Sequence, residues 1–386
     1  MFSEKIINWY TENGRNLPWR GIDNPYFIWL SEIILQQTRI EQGRAYYEHF
    51  INTYPTVKHL ADASEEQILK SWQGLGYYSR ARNLHKAARI IAYNLNGKFP
   101  QTYEGILSLP GIGKYTASAI ASFALRLPYP VVDGNVYRLI ARLYSIYTPI
   151  GTEKAYREFE QILLHLIDPL RPDLFNHAIM DFGSIFCKPI GSDCPNCPFS
   201  NECLAYRNGT VDQLPVRQPA INKKERYFYY FDIRWNSSEE NIVIHKREPG
   251  DIWQGLYELP LYEAKEPVKP DIILPKATEL LNQWFGSAPD TIEIGPTVNH
   301  TLTHQTIKAS FLIAKYLSTP TQIPKTMCAI QMNKLKKIPK LNGLKVLPIT
   351  WSCIKRFSLT EKLNNHMFAA DSYSILKKKN PFLTSI

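Results

Sequence analysis

The sequence contains no run of about 18 consecutive apolar residues, the length that a helix needs to cross a membrane. It does not begin with a basic segment followed by an apolar one, the pattern typical of a secretory signal. Cysteine is scarce, with six residues in 386. These absences predict a cytoplasmic protein with no membrane partner, whose fold does not depend on a disulfide framework.

The residues that are present indicate a folded, basic protein of more than one domain. The formal net charge is +10, and 44% of the residues are hydrophobic. This hydrophobic content suffices for a packed core, and the positive charge favours polyanionic partners. A length of 386 residues predicts two or three domains.

The hydrophobic pattern changes in the middle of the chain. Helical periodicity dominates residues 1–206, as in PYFIWLSEIILQQTRIEQGRAYYEHFI and KYTASAIASFAL. Residues 207–225 are polar and contain glycine and prolines, which predicts a linker. Strand-like stretches such as YFYYFDIRW follow in residues 226–355 with one helical piece, PKATELLNQWF, and residues 356–386 form a basic tail. The sequence therefore predicts an all-α domain followed by an α+β domain.

Four of the six cysteines lie in one short segment, CKPIGSDCPNCPFSNEC, at Cys187, Cys194, Cys197 and Cys203. Crowded thiols in a reducing compartment indicate a metal site. Zinc ribbons usually combine two Cys-x2-Cys knuckles, whereas this loop has one, so the spacing favours an iron–sulfur cluster and leaves zinc open. The other two cysteines, 328 and 353, are interpreted as small apolar residues.

The segment LPGIGKYTA, residues 109–117, predicts a tight turn between two helices. Gly111 and Gly113 allow the backbone to approach a partner closely, and the free N–H groups at the next helix start form an anion site. Residues 105–125 are therefore interpreted as a helix-hairpin-helix that binds a DNA phosphate, with Lys114 beside it. A plain corner between two helices is the alternative.

Two carboxylates stand in contrasting surroundings. Asp133 precedes a helical pattern in VVDGNVYRLIARL, where capping would keep it ionised, although Asp-Gly-Asn is also a common turn. Glu32 lies among apolar residues in FIWLSEIILQQT, either at the edge of an amphipathic face or partly buried and biased towards the protonated form. One neutral and one charged carboxyl group is the arrangement that cleaves glycosidic bonds.

Five motifs in order resemble one known family. NPYFIWLSEIILQQT, WQGLGYYSRARNLHKAA, LPGIGKYTA, VVDGNVYRLIARL and the four-cysteine loop are similar to the adenine DNA glycosylase (MutY) family of the helix-hairpin-helix superfamily. The resemblance covers nearly all of residues 1–205. It implies one 4Fe-4S cluster held by the four cysteines, and a double-stranded DNA substrate.

The resemblance also implies roles for single residues. Glu32 would protonate adenine at N7, and Asp133 would stabilise, or transiently bond to, the cationic C1′ before water completes hydrolysis. Asn135 and Tyr115 would support Asp133 and the developing charge. Two residues, Trp19 and Arg20, would line the adenine pocket, together with His177, where relatives often carry Glu or Gln.

A further set implied by the resemblance replaces the stacking that is lost when adenine leaves the duplex. Gln37 and Tyr77 would enter the DNA helix, with Leu75 close by. Gln36 and Thr38 would contact 8-oxoguanine on the opposite strand.

The second half of the chain resembles the family's Nudix-like (MutT-like) domain through REPGDIWQGLYELP. It has no Nudix box of clustered glutamates, so we expect it to bind rather than to hydrolyse. The motif HTLTH, residues 300–304, matches a loop that recognises 8-oxoguanine through Thr303 and His304, but Leu302 replaces the usual aromatic residue and Thr303 the usual serine. Thr303 retains the hydroxyl group.

The expected activity is hydrolysis of adenine from a mispair with 8-oxoguanine or guanine, by a nucleoid-associated monomer. In related enzymes that also cut the strand, position 115 carries a lysine; Tyr115 cannot form a Schiff base, which predicts an intact abasic product. A pyrimidine or thymine mismatch glycosylase of the same fold is one alternative. A non-catalytic iron–sulfur DNA-binding sensor is another.

Overall fold

The computed structural model describes residues 1–219, 222–235 and 241–331. It divides into two compact units, Met1–Ile221 and Asn222–Ile386. Three of the predicted features lie outside the described residues: the basic tail 356–386, residues 332–355 of the Nudix-like domain and cysteine 353. No described helix is long and apolar enough to cross a membrane.

The first unit is helical, as the sequence predicts. Its α-helices are α1 (Phe2–Asn13), α2 (Pro25–Leu35), α3 (Ile40–Thr53), α4 (Val57–Asp62), α5 (Glu65–Ser71), α6 (Ser79–Arg89), α7 (Tyr103–Leu107), α8 (Lys114–Leu125), α9 (Gly134–Tyr144), α10 (Glu153–Leu166), α11 (Pro172–Asp181) and α12 (Leu204–Arg207). Short π-helical turns extend α6 over Ile90–Asn94 and α11 over Phe182–Phe186.

Half of these helix starts follow from local capping chemistry. A side-chain oxygen accepts a backbone N–H at the start of α2, α4, α5, α7, α9 and α10. One prediction is corrected: the long helical pattern after Pro25 is two helices, because Gln37 adopts a left-handed backbone with φ 55° and ends the first. The chain then turns, and α3 begins at Ile40.

The predicted linker also differs from expectation. Residues 207–219 carry a short 3-10 helix, Val211–Gln213, and Leu214 is 2% exposed in the core of the first unit. Arg217 forms a parallel bridge with Ile150. Val211 and Val216 pack on the same core, and Arg142 donates to the carbonyl groups of Val211 and Leu214, so apolar packing and hydrogen bonds together hold this segment against the helices.

The second unit is α+β, as predicted. One sheet has the order β4-β1-β6-β5 and the other the order β3-β2-β7. The strands are β1 (Lys224–Trp235), β2 (Asn241–Lys246), β3 (Tyr257–Glu258), β4 (Leu261–Ala264), β5 (Thr291–Thr301), β6 (Gln305–Tyr316) and β7 (Met327–Gln331). Helix α13 (Pro270–Phe285) buries Leu281 and Phe285 against apolar residues of β1 and β6.

Gly183 shows how closely the helices of the first unit pack near the predicted catalytic carboxylates. A Cβ atom at this position would lie 2.7 Å from the backbone oxygen of Asn135. Gly134, one residue earlier on α9, has nothing within 4 Å of its own virtual Cβ.

We therefore expect Gly183→Ala to lower the free energy of unfolding by about 1–3 kcal/mol, the usual result of overpacking a core. Gly134→Ala is the matched control and should change it by less than about 1 kcal/mol. Urea unfolding of the two variants measures the difference. Equal midpoints would show that α9 and the turn after α11 adjust without cost.

Candidate active site

Glu32 is buried on α2, 8% exposed. Helix α2 is apolar on nearly every side, since Leu30, Ile33 and Ile34 are also buried. Burial raises the pKa of Glu32 to about 7, although a hydrogen bond with Tyr115 and the charge of Arg20 act in the opposite direction. The partly buried alternative of the sequence analysis is therefore the correct one, and Glu32 can hold a proton near neutral pH.

Asp133 is the N-cap of α9. Its Oδ1 accepts the N–H groups of Asn135 at 2.8 Å and Val136 at 2.7 Å, and its Oδ2 accepts the Asn135 side-chain amide at 2.9 Å. The predicted cap is thus present. The expectation that capping dominates its ionisation is corrected: burial raises the pKa of Asp133 above its usual range, and these hydrogen bonds only oppose the rise.

The two carboxyl groups and Tyr115 lie within interaction range of one another. The negative charge of Asp133 contributes to the raised pKa of Glu32. Burial, together with the charges of both carboxylates, raises the pKa of Tyr115 well above its ordinary value. Tyr115 is the second residue of α8, so the turn after α7 places its phenol against Glu32. The arrangement combines a proton donor, a hydrogen-bonding phenol and a capped carboxylate.

Two buried residues that the sequence analysis missed hold the Asp133 segment. Asn176, which is fully buried on α11, accepts the N–H of Val131 at 3.1 Å and donates to the carbonyl of Tyr129 at 2.9 Å. Arg138 donates to the Asn135 side-chain oxygen at 2.9 Å and to the carbonyl of Cys187 at 2.8 Å. Apart from Asn135, these partners are 45 or more residues away in the chain, so no local pattern reveals the contacts.

Arg20 and His177 are linked to α1 and α11, and the charge of Arg20 reaches Glu32. Arg20 pairs with the fully buried Asp181 at 2.6 and 2.7 Å, and its charge acts on both Glu32 and His177. His177 stacks on Phe123 at 4.1 Å, and burial lowers its pKa to about 3, which keeps the imidazole neutral. The sequence analysis did not identify Asp181 as the anchor of Arg20.

Trp19 is less available than the sequence suggested. Its indole is 7% exposed and makes an edge contact with Tyr47 at 5.4 Å. In this conformation Trp19 contributes mainly packing.

The residues predicted to enter or contact the duplex lie on two turns. Gln37 follows α2, and Tyr77 precedes α6; both are exposed and have left-handed backbones, with φ of 55° and 44°. Leu75 on the second turn is buried, 8% exposed. Two further residues complete the first turn: the Gln36 amide donates to Thr116 at 3.2 Å, and the Thr38 hydroxyl donates to the Gln36 carbonyl at 3.3 Å.

The predicted phosphate site has the expected backbone. Gly111 has φ +79° and its virtual Cβ would lie 2.6 Å from the Asn83 side chain, so no other residue fits there without strain. Gly113 is exposed at the N-cap of α8. Lys114 is already engaged, because its ammonium group donates to Glu153 at 2.6 Å and lies 4.8 Å from the ring of Tyr156.

The four cysteines of residues 187–203 are free thiols that line one cavity. Aromatic and aliphatic side chains complete its wall: Leu139, Leu143, Phe182, Phe186, Phe199 and Tyr206. Two N–H donors face the sulfurs, from Arg142 to Cys187 at 3.4 Å and from the Phe199 backbone to Cys197 at 3.4 Å. Within the described residues, no three Cys, His, Asp or Glu side chains converge as ligands of a single metal ion.

In the second unit the HTLTH motif is a β-hairpin turn. Residues His300 and Thr301 end β5, the N–H of Leu302 donates to the carbonyl of Gln305 at 2.8 Å, and β6 begins at Gln305. Thr303 and His304 are both exposed on this turn. The ring of Trp253 lies 5.9 Å from that of His300 and stands in a loop with φ 62°.

Family models match both halves of the chain. Residues 30–165 match the HhH-GPD superfamily base excision DNA repair protein, and residues 233–345 match the NUDIX domain. Among solved structures, a thermostable thymine-DNA glycosylase superposes with a TM-score of 0.50 at 27% identity, covering 54% of this chain and 95% of its own. The predicted fold class, a helix-hairpin-helix glycosylase domain followed by a Nudix-like domain, is confirmed.

Curated relatives share one description. The adenine DNA glycosylase of Buchnera aphidicola from Acyrthosiphon pisum is 34% identical over 267 residues, covering 69% of this chain and 75% of that protein. The adenine DNA glycosylase of Mus musculus is 33% identical, covering 69% of this chain and 52% of that protein. The order of the motifs, the arrangement of the two carboxyl groups and these matches together show that the chain belongs to the adenine DNA glycosylase family.

Proposed function

We propose that this enzyme hydrolyses the N-glycosidic bond of adenine mispaired with 8-oxoguanine or guanine in double-stranded DNA, and leaves an intact abasic site. The observation that carries this proposal is the pair of carboxyl groups in different environments, Glu32 in an apolar helix and Asp133 at a helix N-terminus, with the phenol of Tyr115 beside them. Such a pair supplies one proton donor and one stabilising anion.

Glu32 acts as the general acid. Adenine is a poor leaving group as an anion, and a proton at N7 lets it depart as a neutral base. A pKa of about 7 keeps a substantial fraction of Glu32 protonated at neutral pH while leaving the group acidic enough to transfer its proton. The Tyr115 phenol, which hydrogen-bonds to Glu32, fixes the orientation of the carboxyl group.

Asp133 stabilises the cationic sugar. Departure of adenine leaves positive charge at C1′, and a carboxylate close to that carbon lowers the free energy of the transition state or bonds to C1′ transiently. Asn135 holds Asp133 through two hydrogen bonds, and Arg138 holds Asn135 in turn. Water then attacks C1′, and the DNA strand remains intact.

The extruded adenine binds between Arg20 and His177. The neutral imidazole of His177 can donate or accept one hydrogen bond, a capacity close to that of a glutamine amide. Asp181 compensates the charge of Arg20, so that a positive charge in this buried position does not abolish the proton affinity of Glu32. A neutral heteroaromatic base suits this pocket.

The four cysteines fit a 4Fe-4S cluster. They share one largely apolar cavity and receive N–H donors from Arg142 and Phe199, the kind of contact that tunes such clusters. When bound, the cluster would cross-link a loop that has little regular secondary structure. Asp133, Glu32 and Tyr115 carry the hydrolysis themselves.

The second unit recognises the base opposite adenine. The exposed Thr303 and His304 on the hairpin turn offer a hydroxyl group and a ring nitrogen, which suit the extra oxygen and N–H of 8-oxoguanine. Leu302 is partly buried at this turn and provides no aromatic surface for stacking. The proposed phosphate site at Gly111 and Gly113 would bind the DNA backbone, and this hairpin turn would bind a base of the opposite strand. Both features support duplex DNA as the partner.

The direct test is release of adenine from a duplex that carries it opposite 8-oxoguanine or guanine. We expect the wild-type protein to release adenine, and Glu32→Gln and Asp133→Asn each to lower the single-turnover rate by about 10²–10⁴-fold while binding the duplex normally. A duplex with thymine opposite guanine serves as the control for a pyrimidine glycosylase. Binding without release of any base by the cluster-loaded protein would instead identify a DNA sensor.

The pH dependence follows from the pKa of Glu32. Because the protonated form of Glu32 is the active one, the rate of adenine release should fall about tenfold per pH unit above about pH 7. The rate should also fall at low pH, where Asp133, whose pKa is raised by burial, becomes protonated. Single-turnover rates measured from pH 5.5 to 9 give this pH dependence. A rate that rises through pH 7 would contradict the assignment of Glu32 as the acid.

Glu32 should also couple stability to pH. Glu32 keeps its proton up to about pH 7 in the native state but only up to 4.5 in the unfolded chain. Its contribution to the free energy of unfolding is therefore complete below pH 4.5 and is lost as the pH rises through 7. Glu32→Gln cannot ionise. At pH 8 its free energy of unfolding should therefore exceed that of the wild type by up to about 3 kcal/mol, which urea unfolding measures as a higher midpoint. At pH 5 the two should be nearly equal. This stability control shows that lost activity is not misfolding.

Strand cleavage should be negligible. Tyr115 has no amine, and the ammonium group of the neighbouring Lys114 is held by Glu153 at 2.6 Å. Borohydride should therefore trap almost no covalent DNA adduct, and the abasic strand should stay intact until it is treated with alkali. An efficient adduct that disappears in Lys114→Ala would identify that lysine as a nucleophile, and one that persists would identify another amine.

A further inference from the structure

Two strained turns stand side by side at the end of α2 and the start of α6. Each carries one exposed residue, Gln37 or Tyr77, with a positive φ that costs about 1–3 kcal/mol outside glycine. Such a conformation persists only where the surrounding structure holds it. The resemblance implies that Gln37 and Tyr77 enter the DNA duplex. The contacts that hold their backbones in this conformation therefore bear on function.

One side chain, Arg80, binds both turns. Its Nη1 donates to the carbonyl oxygens of Ile33 at 2.9 Å and Gln36 at 2.5 Å, immediately before Gln37. Its Nη2 donates to the carbonyl of Leu75 at 3.2 Å and approaches that of Gly76 at 3.5 Å, immediately before Tyr77. The guanidinium group thus joins the residue that precedes each strained position.

The geometry requires a guanidinium group. The Nη1 and Nη2 atoms of one planar guanidinium group bind two separate turns at once, whereas the single ammonium group of a lysine would reach only one turn. The Cζ atom of the Arg80 guanidinium group also lies 5.1 Å from the ring centroid of the fully buried Trp72 and 5.7 Å from that of Tyr77. Trp72 adds a second restraint, because its indole N–H donates to the carbonyl of Gly76 at 2.9 Å.

Arg80 carries its charge at a cost. Burial lowers its pKa to about 10, and its Nε has no hydrogen-bond partner among the described residues. A group that only capped α2 would need the Ile33 and Gln36 contacts alone. The contacts to Leu75 and Gly76 reach the turn directly before α6, the helix that carries Arg80, so the guanidinium group joins its own turn to the end of α2, which is more than 40 residues away in the chain.

We propose that Arg80 is a positioning residue that fixes the Gln37 and Tyr77 turns relative to each other, so that the two side chains enter the duplex together when adenine is extruded. The inference rests on the proposed function, since it requires that these turns face DNA. Because Ile33 follows Glu32 directly, the same guanidinium group also fixes the end of the helix that carries the proposed acid.

The test separates base extrusion from chemistry. A duplex with 2-aminopurine next to the target adenine reports unstacking by fluorescence, and Glu32→Gln as the background prevents turnover. We expect Arg80→Lys in this background to lose most of the fluorescence increase at saturating protein. In the otherwise wild-type protein, Arg80→Lys should lower the single-turnover rate by about 10–100-fold, with a smaller change in duplex affinity.

Arg89→Lys is the matched control, since it makes the same exchange of guanidinium for ammonium at an exposed position of the same helix, 5.9 Å from the ring of Tyr93 and away from both turns. Rates are normalised to the active fraction from burst amplitudes, so that partial unfolding cannot imitate the effect. If Arg80→Lys does not fold, Trp72→Phe removes the indole donor to Gly76 and should lower the fluorescence change in the same direction.

Each outcome is decisive. A fluorescence change in Arg80→Lys within twofold of the parent would overturn the proposal, as would a lower melting temperature with an unchanged rate per active site. If the Trp72→Phe variant is used, an unchanged signal has the same meaning. Failure of the wild-type protein to release adenine, or of the Glu32→Gln parent to give any signal, would instead count against the proposed function.

Discussion

Removal of the Glu32 carboxyl group from water is the constraint on which the site depends. An ionised carboxylate in an apolar helix is costly, so the group keeps its proton to a pH near neutrality. The residues around it adjust that tendency: Tyr115 and Arg20 favour ionisation, and Asp133 opposes it. An acid of this kind can be made only where the fold supplies enough packing to bury it, and the neighbouring Leu30, Ile33 and Ile34 of α2 are buried together with Glu32.

Largely buried arginines organise this unit as much as its apolar core does. Arg20 is paired with Asp181, and Arg138 and Arg142 join α9 to the cysteine loop through backbone carbonyls. Arg80 does the same for two turns. In each case several donors in one plane satisfy oxygens from separate segments, so a single side chain replaces a stretch of regular hydrogen bonding. Part of the chain's positive charge therefore stabilises the fold before any DNA is bound.

Much of the fold could be predicted from the sequence because its signals are local. Capping residues mark half of the helix starts in the first unit, PGIG marks the hairpin, and the apolar neighbours of Glu32 indicate its burial. The remaining features depend on long-range contacts or on competing effects. The contact of Arg80 with the turn at Gln36, the burial of Leu214 and the partners of Asp181 involve residues far apart in the chain. The ionisation of Asp133 depends on whether desolvation or hydrogen bonding is stronger, and the sequence identifies both without giving their balance.

The ion pair between Lys114 and Glu153 has a consequence for the thermodynamics of association. A lysine that is free in solution neutralises a DNA phosphate and releases condensed counterions, which is the main origin of salt-dependent affinity. Lys114 is already neutralised by a carboxylate within the protein. At the proposed phosphate site, a phosphate would replace Glu153 as the partner of Lys114, while Glu153 would keep the guanidinium group of Arg157 at 3.1 Å. The electrostatic gain of that contact is accordingly smaller than for a lysine without a partner inside the protein, because one ion pair breaks as the other forms.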